Sequence, residues 1–140
     1  MLRRMVLLGG MLLVGVIVLG GVALAKDIRG TFKQDDLTGT NQVDRIYGLG
    51  AADTLSGLGG NDDCYGGSGA DEIRCGPGND RIDGGFGDDD LFGDSGNDTI
   101  SAADGRVDVV DCGEGDDTAY VDGQDSVDPN CEHVFVAVLK

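Results

Sequence analysis

Tryptophan is absent from this 140-residue chain, proline occurs twice, histidine once, and the aromatics are limited to four Phe and three Tyr. So little bulky apolar material excludes a large hydrophobic core and leaves room for one small domain. Basic residues are scarce, ten Lys and Arg against 26 acids, for a formal net charge of −16. Such a field repels phosphate, which excludes nucleic acid and anionic membrane surfaces as partners of the domain. Glutamate is nearly missing too: the acids divide into 23 Asp and 3 Glu. A charged helical surface draws on Glu, because Asp competes for its own backbone and favours turns. The lone His133 sits beside Glu132 with no triad-like constellation near it, so no catalytic residue is assigned. What is abundant is Gly, 26 residues of it. Gly and Asp together mean a chain built of turns or a disordered one.

The chain has one long apolar run, from Met5 to Leu24, preceded by Arg3 and Arg4 and ending in Ala23-Leu24-Ala25. A charged start, an apolar stretch and a small-x-small end read as a secretion signal, residues 1–25, with cleavage after Ala25. The run is also long enough to span a bilayer, so an uncleaved anchor holding the domain outside the cell is the alternative. Cleavage removes two basic residues and no acid, taking the net charge to −18.

Order along the remaining chain decides against disorder. Written in nines from Gly30 it reads GTFKQDDLT, GTNQVDRIY, GLGAADTLS, GLGGNDDCY, GGSGADEIR, CGPGNDRID, GGFGDDDLF and GDSGNDTIS, ending at Ser101. The sixth position is Asp in every block: Asp35, Asp44, Asp53, Asp62, Asp71, Asp80, Asp89 and Asp98. The eighth is Leu37, Ile46, Leu55, Cys64, Ile73, Ile82, Leu91 and Ile100, always apolar. With Asp near one residue in five, such agreement arises by chance with a probability on the order of 10⁻⁵, so the register is a repeat.

The first six residues of a block form a tight turn, with Gly at the first and fourth positions permitting positive φ and close approach of carbonyls. The last three, x-apolar-x, make a short strand with one inward side chain. Two blocks close a coil of 18 residues, and stacked coils align Leu37, Leu55, Ile73 and Leu91 in one column against Ile46, Cys64, Ile82 and Ile100. The expected fold is all-β, a parallel β-roll (a β-helix solenoid). The Asp residues fall into columns at either edge, where strands about 4.8 Å apart bring like charges together at a cost. Eight inward positions form too thin a core to absorb that repulsion. A hard divalent cation held by Asp carboxylates and turn carbonyls resolves it, and oxygen-only ligation suits Ca²⁺ over Mg²⁺ or Zn²⁺.

These blocks resemble the G-G-x-G-x-D-x-U-x nonapeptide of the RTX, or haemolysin-type calcium-binding, repeats. The resemblance covers residues 30–101 strongly and 103–120 in degenerate form, where Asp108 and Asp117 hold the sixth position. It implies calcium shared between a turn and the turn two repeats on. The implied metal residues are Asp53, Asp62, Asp71, Asp80, Asp89 and Asp98, with Gly57, Gly59, Gly66, Gly84 and Gly93 in their turns. Asp35 and Asp44 are weaker members, since their turns carry Lys33 and Gln42 at the fourth position and suit an N-terminal cap. Two columns of turns imply about three to five Ca²⁺ ions.

Secreted RTX toxins and proteases usually avoid cysteine, whereas this chain has four, in keeping with oxidation outside the cell. Four cysteines allow three pairings. The preferred ones are Cys112–Cys131, stapling the tail, and Cys64–Cys75, adjacent in sequence; the alternative for Cys64 is a free thiol in the core. Residues 121–140, ending in an apolar stretch from Val134, are expected to cap the last coil. The expectation is thus a secreted protein that folds on binding Ca²⁺. A calcium-dependent adhesion or surface-matrix module and a remnant of an RTX enzyme are the alternatives, with the protein or surface partner left open.

Overall fold

The computed structural model describes residues 25–138, so residues 1–24, nearly all of the stretch read as a secretion signal, lie outside it. Among the described residues every regular element is a strand. In chain order they are β1 (Asp27–Arg29), β2 (Asp36–Thr38), β3 (Arg45–Tyr47), β4 (Thr54–Ser56), β5 (Asp63–Ser68), β6 (Glu72–Arg74) and β7 (Arg81–Phe86). There follow β8 (Asp90–Phe92), β9 (Thr99–Ser101), β10 (Val109–Asp111), β11 (Thr118–Asp122), β12 (Ser126–Val127) and β13 (His133–Ala137).

Odd-numbered strands form one seven-stranded sheet and even-numbered strands a six-stranded one, each in ascending order. All pairings are parallel, and each strand pairs only with the strand two elements before or after it. This is the expected parallel β-roll. The short strands occupy the last three positions of each nonapeptide because only there does an apolar residue stand between two polar ones. Register follows: Leu37 pairs with Leu55, Leu55 with Ile73 and Ile73 with Leu91. On the facing sheet Ile46 pairs with Cys64, Cys64 with Ile82 and Ile82 with Ile100. All eight are buried in one continuous core.

The roll extends beyond the eight blocks at both ends. β1 adds Ile28 to the column above Ile46, although only its three residues carry the x-apolar-x pattern. The extra residue after Ser101, Ala102, is buried, and pairing resumes beyond it through Val110 and Ala119.

The tail stacks on the last coil. β13 lies beside β11 and lengthens the sheet, and all five of its residues are exposed, Phe135 at 56%. It adds an edge rather than covering one, because its alternating Val and Phe side chains find no further coil to pack against.

Both preferred disulfides are present, Cys64–Cys75 with Cα atoms 6.6 Å apart and Cys112–Cys131 with 5.2 Å. The second ties the last complete turn to the approach to β13. Removing it with C112S/C131S frees a 19-residue span and is expected to cost about 3 kcal/mol. Hydrogen exchange should then show the loss confined to residues 112–138, with the strands up to β9 unchanged; uniform loosening of every coil would contradict a local staple.

Candidate metal centre

The sixth-position aspartates form two ladders, one along each edge. On one edge the backbone N–H of Asp35 donates to Oδ1 of Asp53, Asp53 to Asp71 and Asp71 to Asp89, each at 2.8 Å. On the other, Asp44 donates to Asp62 and Asp80 to Asp98 at 2.8 Å, and Asp62 to Asp80 at 2.7 Å. One carboxylate oxygen is thereby committed to joining successive coils. The side chains turn inward rather than toward solvent: all of these residues except Asp35 are buried.

The other oxygen is the informative one. Oδ2 of Asp53, Asp62, Asp71, Asp80, Asp89, Asp98 and Asp117 is buried and has no hydrogen-bond partner. Seven such atoms among the described residues, all of one kind and at one repeat position, call for a common partner. Nor does a side-chain cation neutralise them. The ion pairs among the described residues involve Asp27, Asp63, Asp88, Asp94 and Asp116, none of them in the ladders.

Burial raises the carboxyl pKa values accordingly, while the backbone N–H of the preceding coil pulls them part of the way back. Asp53, Asp62, Asp89 and Asp98 are pushed up to about 6 and Asp80 and Asp108 to about 7. Asp71, Asp117 and Asp125 shift in the same direction for the same first cause.

Glycine makes the space for these oxygens, but not as the block pattern alone suggests. Positive φ falls at the second and fourth positions, as at Gly67 and Gly69. The first position is Gly for want of room. A methyl group on Gly66 or Gly84 would stand 2.5 Å from Oδ2 of Asp71 or Asp89, and one on Gly93 2.6 Å from that of Asp98. Gly57 meets Asp62 in the same way. Gly59, at a third position, would place a methyl group 3.6 Å from the Pro77 carbonyl and 3.7 Å from Asn41 Oδ1, which is ordinary contact. Fourth-position glycines stack so closely that a side chain on Gly87 would overlap the carbonyl of Gly69. Each edge therefore presents carboxylate oxygens and files of backbone carbonyls.

Among the described residues no three His, Cys, Asp or Glu side chains converge on a point. The donor set is instead an unpaired carboxylate oxygen with main-chain oxygens, all of them hard ligands, which fits Ca²⁺ rather than Zn²⁺. The pattern of the RTX calcium-binding nonapeptide repeat, in its four-copy form, matches residues 38–73, 65–100 and 75–109, together half of the chain. The chain belongs to the RTX calcium-binding repeat family. No curated protein and no solved structure matches it.

The RTX ladders run beyond the well-formed blocks. Asp89 donates to Asp108 and Asp98 to Asp117, across 19 residues instead of 18, so the inserted residue lengthens a coil without breaking either ladder. Asp108 then donates to Asp125 and Asp117 to Glu132, closing the two edges. Asp125 and Glu132 lie in irregular sequence, and only their spacing from Asp108 and Asp117 marks them. A second, outer file of Asn61, Asn79, Asn97 and Asp116 runs beside one RTX ladder, each side-chain oxygen accepting the backbone N–H of the next member or, for Asn97, of Asp116.

Proposed function

We propose that this protein is a secreted, non-catalytic calcium-binding β-roll that acquires its fold by taking up about three to five Ca²⁺ ions along the two aspartate ladders. The observation that carries this reading is the set of seven buried carboxylate oxygens with neither a hydrogen-bond donor nor a basic partner. Calcium supplies the missing positive charge and accepts oxygen ligands at flexible geometry. The residues that hold it are Asp53, Asp62, Asp71, Asp80, Asp89 and Asp98, with Asp117 continuing one ladder. Their Oδ1 atoms keep neighbouring coils in register, so each carboxylate both ties two coils together and presents its second oxygen to the ion. The first-position glycines leave room for that oxygen.

Secretion is supported by the charged-apolar start of the chain and by two disulfides, which form and persist in oxidising surroundings. Extracellular calcium modules bind at about 10⁻⁴–10⁻³ M. At cytosolic calcium the chain then stays loose, and ion uptake outside the cell supplies folding free energy.

Far-UV circular dichroism of residues 26–140 tests this. In EGTA the β signal should be weak, and millimolar CaCl₂ should restore it with a sigmoidal dependence on concentration. A spectrum indifferent to calcium rejects the reading.

A further inference from the structure

Two of the ladder aspartates are not short of partners. Thr31 and Thr40 stand at the second position of the first two turns. The Thr31 hydroxyl donates to Oδ2 of Asp35 at 2.9 Å, and the Thr40 hydroxyl to Oδ2 of Asp44 at 2.8 Å. The same Oδ2 also accepts the backbone N–H of that threonine, at 2.5 Å in both turns. Each hydroxyl in turn accepts the N–H of the fourth-position residue, Lys33 or Gln42, at 3.1 Å. Both in-plane lone pairs of Oδ2 are therefore taken by the chain itself.

Nothing similar occurs in the eight turns that follow. Their second positions are Leu49, Leu58, Gly67, Gly76, Gly85, Asp94, Asp104 and Gly113, none of them a hydroxyl residue. The seven unpartnered Oδ2 atoms all belong to those later turns. The backbone divides at the same point: positive φ at the second and fourth positions begins with Leu49 and Ala51, and neither Thr31, Lys33, Thr40 nor Gln42 shares it. Hydrogen bonding and backbone path thus separate the first coil from the regular turns that follow; the irregular turn at Asp104–Asp108 has positive φ only at Gly105, and Asp108 Oδ2 is not among the unpartnered atoms.

We infer that Thr31 and Thr40 close the first coil with hydroxyl groups in place of calcium, so that the ion sites begin at Asp53 and Asp62 and residues 26–47 form an ion-independent platform for the coils that follow. This rests on the calcium reading above and changes the assignment of Asp35 and Asp44, which hold the platform rather than an ion. The platform also has its own backbone links: Lys26 N–H donates to Oδ1 of Asp44 at 2.7 Å, and Arg45 N–H to the Lys26 carbonyl at 2.8 Å. β1 and β3 are therefore joined without any carboxylate left over.

Two measurements on the mature chain test the inference. Native mass spectrometry at saturating CaCl₂ should count the same number of ions for wild type, Asp35→Asn and Asp44→Asn, and at least one fewer for Asp62→Asn and Asp71→Asn. A lost ion in Asp44→Asn or Asp35→Asn overturns it. Hydrogen exchange of the wild type in EGTA should show the amides of Thr31, Lys33, Thr40 and Gln42 at least tenfold slower than those of Leu49, Ala51, Leu58 and Gly60. Equal rates overturn it as well. Should the wild type take up no calcium at all, the functional reading falls by itself, and the exchange contrast still decides whether the hydroxyls close the first coil.

Discussion

Alanine in place of Gly66 should lower the melting temperature of the calcium-loaded protein steeply, whereas alanine in place of Gly59 should scarcely move it. Both glycines belong to turns, and sequence alone ranks them together. Their surroundings differ. A methyl group on Gly66 meets the Gly84 carbonyl of the next coil and stands 2.5 Å from Oδ2 of Asp71. Neither obstacle can swing aside, since one is backbone and the other is fixed through Oδ1. On Gly59 the same methyl group finds its nearest atoms 3.6 and 3.7 Å away, which is ordinary contact. The first substitution forces two coils apart at a ladder edge and is expected to cost about 3 kcal/mol, or roughly 10 °C or more in a domain of this size. It should also raise the calcium concentration needed for folding. Thermal melts of the two variants in saturating calcium make the comparison, and indistinguishable curves would refute the crowding argument.

Acid should partly replace calcium. The ladder carboxyls titrate at about 6 to 7 in the folded chain, against a value near 3.9 when unfolded. Between those limits the folded state holds more protons than the unfolded one, so stability rises as pH falls. The gain is complete near pH 4 and is lost as pH rises through 6 and 7. Metal-free protein should therefore show more β signal at pH 5 than at pH 8, because protons cancel the buried negative charge that calcium otherwise cancels. With calcium present the trend reverses in one respect: protons compete for the same oxygens, and the calcium midpoint should climb as pH falls. Circular dichroism in buffers stripped of metal by resin, at pH 5, 6.5 and 8, reads both effects. Greater order at pH 8 without calcium would remove the buried ladders as its cause.

The repeat was legible because each nonapeptide states the same physical need. One inward apolar residue per strand and one aspartate per turn recur at fixed spacing, and these set the strand register from Leu37 to Ile100. Both preferred disulfides are present, although the sequence by itself leaves three pairings of the four cysteines open. Less was visible where geometry rather than period decides. β1 escaped notice because Lys26 stands where an aspartate is expected, although its N–H still joins the ladder. The first-position glycines read as conformational, and they prove to be steric, because the aspartate five residues on turns its Oδ2 back onto them and, at Gly66, the carbonyl of Gly84 adds to it. Asp125 and Glu132 were hidden by turns of irregular length. The threonine closure of the first coil is written plainly as Gly-Thr at both turns. Its meaning appears only once the hydroxyl is seen on the carboxylate.

Neighbour-only pairing of the coils has a mechanical side. No strand reaches past the adjacent coil, so tension applied along the roll axis loads the coils in series. A coil released from either end converts about 4.8 Å of axial length into roughly 60 Å of extended chain. Calcium held between coils, as proposed above, would act as rivets spaced along that series, and the two disulfides shorten the slack at Cys64–Cys75 and Cys112–Cys131. On that reading the stiffness of the roll along its axis would follow the calcium around it.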